Sequence, residues 1–141
     1  MSLRDALEKD GLIIAPGVYD ALSGLIASQS GAQALYLSGA SLAYTRFGTS
    51  DIGLISVSEV NDTIAAITDR INIPIIVDAD TGFGNALNVQ RTVRSFERSG
   101  AHAILNQCLV LPGLIGAVCG AVCTVPRDMV QRAGVGGPLD S

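Results

Sequence analysis

The chain has 141 residues, the length of one ordinary domain. Its net charge of −4, without any basic run, excludes nucleic-acid binding through phosphate contacts, and 4% aromatics with no Trp leave no platform for stacking bases. Apolar residues at 48% and a mean hydropathy of +0.42 are enough for a core.

The first ten residues carry charges throughout and lack the apolar stretch of a secretory leader. The three cysteines, Cys108, Cys119 and Cys123, all fall in the last third. An odd number without a leader predicts reduced thiols and a cytoplasmic setting.

Residues 3–10 predict a short helix with Leu3, Ala6 and Leu7 on one side. Leu12-Ile13-Ile14-Ala15 predicts a first strand ended by Pro16-Gly17. Apolar residues at 18, 21, 22, 25 and 26 then repeat at helical spacing, and Gly31 supplies a left-handed stop. Ala34-Leu35-Tyr36-Leu37 is the second strand. It runs into the small-residue loop Ser38-Gly39-Ala40-Ser41, where backbone N–H groups can approach an anion closely. Neither a phosphate-loop Lys nor the GxGxxG spacing is present. Residues 42–55, with Tyr44, Arg46 and Asp51, predict a longer loop holding a short helix.

Ser56 and Glu59 form a capping-box pattern, and Val60, Ile64, Ile67 and Ile71 give the buried stripe of a surface helix. The third strand, 73–77, is a β-branched run, as expected of a strand covered on both faces in a parallel sheet. It leads into Asp78-Ala79-Asp80-Thr81-Gly82-Phe83-Gly84-Asn85. Two carboxylates at a strand end, two residues apart, would share one side and repel unless a cation joins them; oxygen ligands of this kind suit Mg²⁺. The plainer reading is that Asp78 caps the next helix while Asp80 holds the turn. That helix begins near Ala86, with Val89, Val93 and Phe96 inward, and Gly100 ends it. Ala101–Leu105 is the fourth strand. Its His102, the only histidine, is read as a core or edge residue and not as a ligand.

Strand and helix thus alternate at roughly 25–35 residues per unit, the pattern of repeated βα units on a parallel sheet. Four units make half of a (β/α)₈ barrel. An open doubly wound sheet is the other α/β solution, and length alone favours it.

Four stretches, one at each strand end, carry a closer likeness. They are Ala15–Ser23, Leu35–Ala40, Ser50–Leu54, and Val77–Asn85 with Asn88–Val93. With them residues 3–104 resemble the isocitrate lyase and phosphoenolpyruvate mutase superfamily, nearest to its methylisocitrate lyase-like, dimethylmalate lyase-like and oxaloacetate decarboxylase-like members. The resemblance implies a (β/α)₈ TIM barrel, of which residues 1–107 make up about four βα units, a partial barrel; residues 108–141 read as an atypical, irregular tail. It implies Asp78 and Asp80 as Mg²⁺ ligands (Mn²⁺ being the alternative ion), and Ser38, Gly39 and Ala40 as the loop that binds the substrate's carboxylate. It implies catalytic roles for Tyr36 and for Asp51 near the metal and its water. The implied activity is a Mg²⁺-dependent carbon–carbon lyase acting on small 2-hydroxy or 2-oxo di- or tricarboxylates through an enolate-like pyruvate, in a homo-oligomer.

The chain departs from the pattern after the fourth strand. Leu105-Asn106-Gln107-Cys108 stands where the superfamily has a metal-serving Glu, and no Cys-Gly-His follows. Two rivals are therefore kept: a catalytically incomplete fragment that binds family subunits or is inert, and phosphonomutase-type chemistry. Residues 108–125 hold no charge and reach the length of a membrane span, but Pro112 and several glycines argue against one.

Overall fold

The computed structural model describes Leu3 and residues 12–106. Four strands, β1 (Gly17–Val18), β2 (Leu35–Leu37), β3 (Ile75–Asp78) and β4 (Ala103–Leu105), form one parallel sheet in the order β1-β2-β3-β4. A doubly wound sheet reverses its strand order at a switch point, whereas a barrel wall does not. The unbroken order therefore makes this a segment of barrel wall, and length was the wrong guide. The intervening helices pack on one face of the sheet, as crossovers of one hand between successive neighbouring parallel strands require. These are α1 (Ala21–Gln29), α2 (Gly39–Leu42) running into a π-helical segment (Ala43–Phe47), α3 (Val57–Thr68) and α4 (Ala86–Arg98). Helix α3 touches both α1 and α4.

The helices start where local chemistry allows. Ser56 accepts the Glu59 N–H at 3.3 Å, and Glu59 accepts the Ser56 N–H at 2.8 Å, completing the capping box. Val60, Ile64, Ile67 and Ile71 are buried as the spacing predicts. Asn85 caps α4, accepting from the N–H groups of Leu87 and Asn88. Asp78 therefore does not cap that helix. Gly31 and Gly100 take positive φ just past the ends of α1 and α4, as stops require.

Two apolar clusters occupy the two faces of the sheet. Leu35, Leu37, Ile75, Val77 and Ile104 belong to the larger one, with Ile64, Ile67, Val93 and Phe96 from the helices. On the other face Ala34 and Ala103 pack with Leu3, Ile13, Ala15 and Ile76. Leu3 is the only described residue of the predicted first helix.

Three expectations change. The first strand is Gly17–Val18, not Leu12–Ala15: its register pairs Gly17 with Tyr36 and Val18 with Leu37, and Leu12 and Ile14 are largely exposed. The apolar stripe of α1 is helical but Leu22, Leu25 and Ile26 face outward. The helix instead packs through Gly24, where a Cβ would lie 2.8 Å from Ile71 Cδ1. The small-residue loop after β2 is the first turn of α2, with Ser38 as its cap. The predicted tail lies outside the described residues, among which no helix is long and apolar enough to cross a membrane.

His102 clips the starts of β3 and β4 together. Its N–H donates to the Ile75 carbonyl at 2.9 Å, and its Nδ1 accepts the Ile75 N–H at 3.3 Å. Burial pushes the imidazole pKa below its ordinary value. The unfolded chain then binds the proton more readily, so this contribution is complete above about pH 6.5 and is lost as pH falls toward the folded-state pKa. Urea midpoints at pH 8 and pH 5.5 should differ more for the wild type than for His102→Gln. An equal difference in both proteins would remove the clip.

Candidate active site

Side chains alternate across a strand, so Leu35 and Leu37 point to the helices and Tyr36 to the opposite face. On β3, Ile75 and Val77 likewise face the helices, leaving Ile76 and Asp78 opposite. The register pairs Tyr36 with Ile76, so Asp78 lies one pleat further along on the same face. Across this diagonal the Tyr36 hydroxyl donates to Asp78 Oδ2 at 3.0 Å. The amino-terminal half of this face is filled by the Ala34, Ile76 and Ala103 cluster; the carboxyl-terminal half carries the polar groups.

Asp80 is not on the strand. It follows the end of β3 in a turn with φ +48°, so the period-two argument does not place it. Its N–H donates to Asp78 Oδ1 at 3.0 Å, which fixes the Asp80 backbone beside the Asp78 carboxylate. Both Asp78 oxygens thus accept one hydrogen bond each. The Gly39 backbone borders the same carboxylate: a Cβ there would sit 3.6 Å from Asp78 Oδ2. Ser38 accepts the Ser41 N–H at 3.3 Å as the cap of α2, and its own N–H donates to the Val18 carbonyl. The first N–H groups of a helix have no partner within it, so Gly39 and Ala40 present donors at the end of β2.

Asp51 is exposed in the bend after the π-helical segment. Its reach into the site is electrostatic. Burial, then the charge and hydrogen bond of Asp78, then the charge of Asp51 push the Tyr36 phenol up to about 12. Tyr36 is therefore a fixed donor at any working pH. Tyr36, Gly39, Asp78 and Asp80 come together; Ser38 and Ala40 flank Gly39.

The donor set fits a hard divalent ion. It is all oxygen, and no ion pair among the described residues joins either aspartate to a basic side chain. Asn106, just past β4, has its Oδ1 buried without a hydrogen-bond partner, and so does the Thr49 hydroxyl. A buried oxygen of this kind is completed by a cation or by water. Among the described residues no group of three or more His, Cys, Asp or Glu side chains could hold a metal. Two carboxylates suffice for Mg²⁺, which keeps several waters and takes further ligands from its substrate.

Sequence reasoning missed Thr92, which is buried on the inner side of α4 with its hydroxyl on the Gly82 carbonyl at 3.1 Å. The available signal was a hydroxyl on the same helical stripe as Val89, Val93 and Phe96.

The sequence pattern of the family described as phosphoenolpyruvate phosphomutase matches residues 3–105. The chain is 44% identical to 2-methylisocitrate lyase of Aeropyrum pernix over 141 residues, covering 99% of this chain and 46% of that protein. It is 34% identical to 2,3-dimethylmalate lyase of Eubacterium barkeri, covering 92% and 45%. The crystal structure of a phosphonopyruvate hydrolase complexed with oxalate and Mg²⁺ superposes with a TM-score of 0.73 at 34% identity, covering 79% of this chain and 41% of that one. The chain spans less than half the length of the curated relatives it matches.

The turn after β3 depends on Gly82, whose φ is +87° and whose Cβ, if present, would overlap Val89. Gly82→Ala should destabilise the fold by about 1–3 kcal/mol through backbone strain and overpacking. Chemical denaturation of both proteins checks this; an unchanged midpoint would show that the turn accommodates a side chain.

Proposed function

The chain belongs to the phosphoenolpyruvate phosphomutase family, and from that membership we propose that the protein is a Mg²⁺-dependent carbon–carbon lyase. Its substrates are small 2-hydroxy or 2-oxo di- or tricarboxylates. The observation that carries the reading is the meeting of Tyr36, Gly39, Asp78 and Asp80 at the ends of two adjacent parallel strands. This is where a barrel places its chemistry.

The geometry supports a role for each residue that the family resemblance implies. Asp78 and Asp80 hold the ion. A bound Mg²⁺ supplies Lewis-acid charge neutralisation beside a substrate carbonyl and carboxylate. The N–H groups of Gly39 and Ala40, with Ser38 setting the turn, receive the substrate carboxylate, as helix-start donors receive anions. Gly39 has no side chain to stand between that carboxylate and Asp78. Tyr36 orients Asp78 through its hydroxyl. Asp51 adds negative charge to the same neighbourhood and is assigned to water held near the ion.

Phosphonate chemistry is the second reading. It is favoured by the match to a mutase family and by the phosphonopyruvate hydrolase neighbour. The same carboxylate loop and carboxylate pair serve both readings, because both act beside a pyruvate-like carboxylate.

Calorimetric titration with Mg²⁺ tests the assignment. The expected result is a micromolar-to-millimolar site in the wild type, weakened at least about tenfold in Asp78→Asn. Equal affinity in both proteins removes Asp78 from the metal site. No binding by the wild type supports the inert-fragment account.

A further inference from the structure

The geometry points to Thr92 as the positioning residue of the candidate metal site, holding from behind the turn that carries Asp80. This rests on the metal reading of Asp78 and Asp80 and adds to it a residue that touches neither.

The turn from Ala79 to Gly84 is an expensive conformation. Asp80 and Phe83 both adopt left-handed backbone, at φ +48° and +63°, although neither is glycine. Gly82 and Gly84, at +87° and +143°, share that positive range. Non-glycine residues persist there only where the surroundings over-determine them. Three constraints come from the backbone and from the site itself. The Ala79 N–H donates to the Leu105 carbonyl at 2.8 Å, the Gly82 N–H to the Ala79 carbonyl at 2.7 Å, and the Asp80 N–H to Asp78. Two more come from α4. Phe83 meets Phe96 edge-on, with ring centroids 6.1 Å apart at 78°. Thr92 donates to the Gly82 carbonyl.

Thr92 is the one polar residue among the described residues that is buried as a whole, at 2% exposure. It lies on the apolar stripe of α4, between Val89 and Val93, where a valine of almost the same shape would fill the space. Packing alone therefore gives no reason for a hydroxyl. The hydroxyl has one: Gly82 is itself buried, and its carbonyl has no other donor among the described residues. Without it, that carbonyl must turn toward water. The turn must then re-form, and Asp80 lies two residues away. The left-handed angle at Asp80 goes with the hydrogen bond from its N–H to Asp78, which ties the turn to the Asp78 carboxylate.

Three variants test this: Thr92→Val, which removes the hydroxyl and keeps the shape, and the pair Thr92→Ser and Thr92→Ala, which share the loss of the methyl and differ only in the hydroxyl. Two quantities are read for each. One is Mg²⁺ affinity by calorimetry; the other is amide exchange of residues 79–84 by mass spectrometry, without metal. The expected result is exchange at least about tenfold faster in the valine and alanine variants and Mg²⁺ binding weakened about tenfold, with the serine variant close to wild type on both. If Thr92→Val fails to fold, the serine and alanine pair carries the comparison. Wild-type exchange and affinity in Thr92→Val or Thr92→Ala would overturn the proposal, as would equal losses in the serine and alanine variants. A wild type that binds no Mg²⁺ would instead defeat the metal reading, while the exchange rates would still show whether Thr92 holds the turn.

Discussion

The hydrogen bond from Tyr36 to Asp78 depends on one thing above all, the register between β2 and β3. With Tyr36 beside Ile76, the pleat sends Tyr36 and Asp78 to the same face, within reach of each other. A slip of one residue would turn Asp78 toward the helices and bury a carboxylate against Phe96 and Val93. The register is held against that slip by Leu35, Leu37, Ile75 and Val77, each 1% exposed or less. Packing on one face therefore sets the chemistry on the other. Each such side chain stabilises the fold by roughly 1.5–3 kcal/mol, so a slipped register is far out of reach.

The face away from the helices is itself divided. Its amino-terminal part is apolar, built from Ala34, Ile76 and Ala103 under Leu3 and Ile13. Its carboxyl-terminal part holds the phenol, the two aspartates and the start of α2. A barrel wall separates stability from chemistry in this way, and the loops can change without disturbing the sheet. His102 belongs to the first zone. It joins the strands at the end opposite Asp78, and its titration speaks of stability and not of reaction.

Much of this was legible in the sequence, for identifiable reasons. The capping box at Ser56 and the stripe through Ile64 and Ile67 are local, and local signals survive folding unchanged. Asp78 was legible because a β-branched run ends on it. Asp80 was placed beside Asp78 for a mistaken reason. The alternation rule stops at the strand end, and a left-handed turn restores the proximity. Nothing in the sequence marks Asp80 as left-handed. The Leu12–Ala15 run misled because apolar content was taken as pairing, whereas pairing is decided by where β2 ends. The stripe of α1 identified the helix but not its packed side, because periodicity reports a helix and not the side on which its neighbours lie. Thr92 was hidden because a hydroxyl on a helix is ordinary until its acceptor, ten residues back, is seen.

Charge then decides what the site can receive. Each oxygen of Asp78 has one donor, but both donors, a phenol and an amide, are neutral. Asp80 and Asp51 add two more acidic side chains nearby, and no ion pair to a basic side chain offsets them among the described residues. The phenol responds by holding its proton more tightly, up to about 12. It cannot relieve the repulsion by ionising, since that would add a further negative charge. A hard cation is the kind of ligand that an uncompensated acidic cluster of this sort attracts. The backbone of residues 79–84 ties the turn to the Asp78 carboxylate through the Asp80 N–H, and α4 supports that turn from behind.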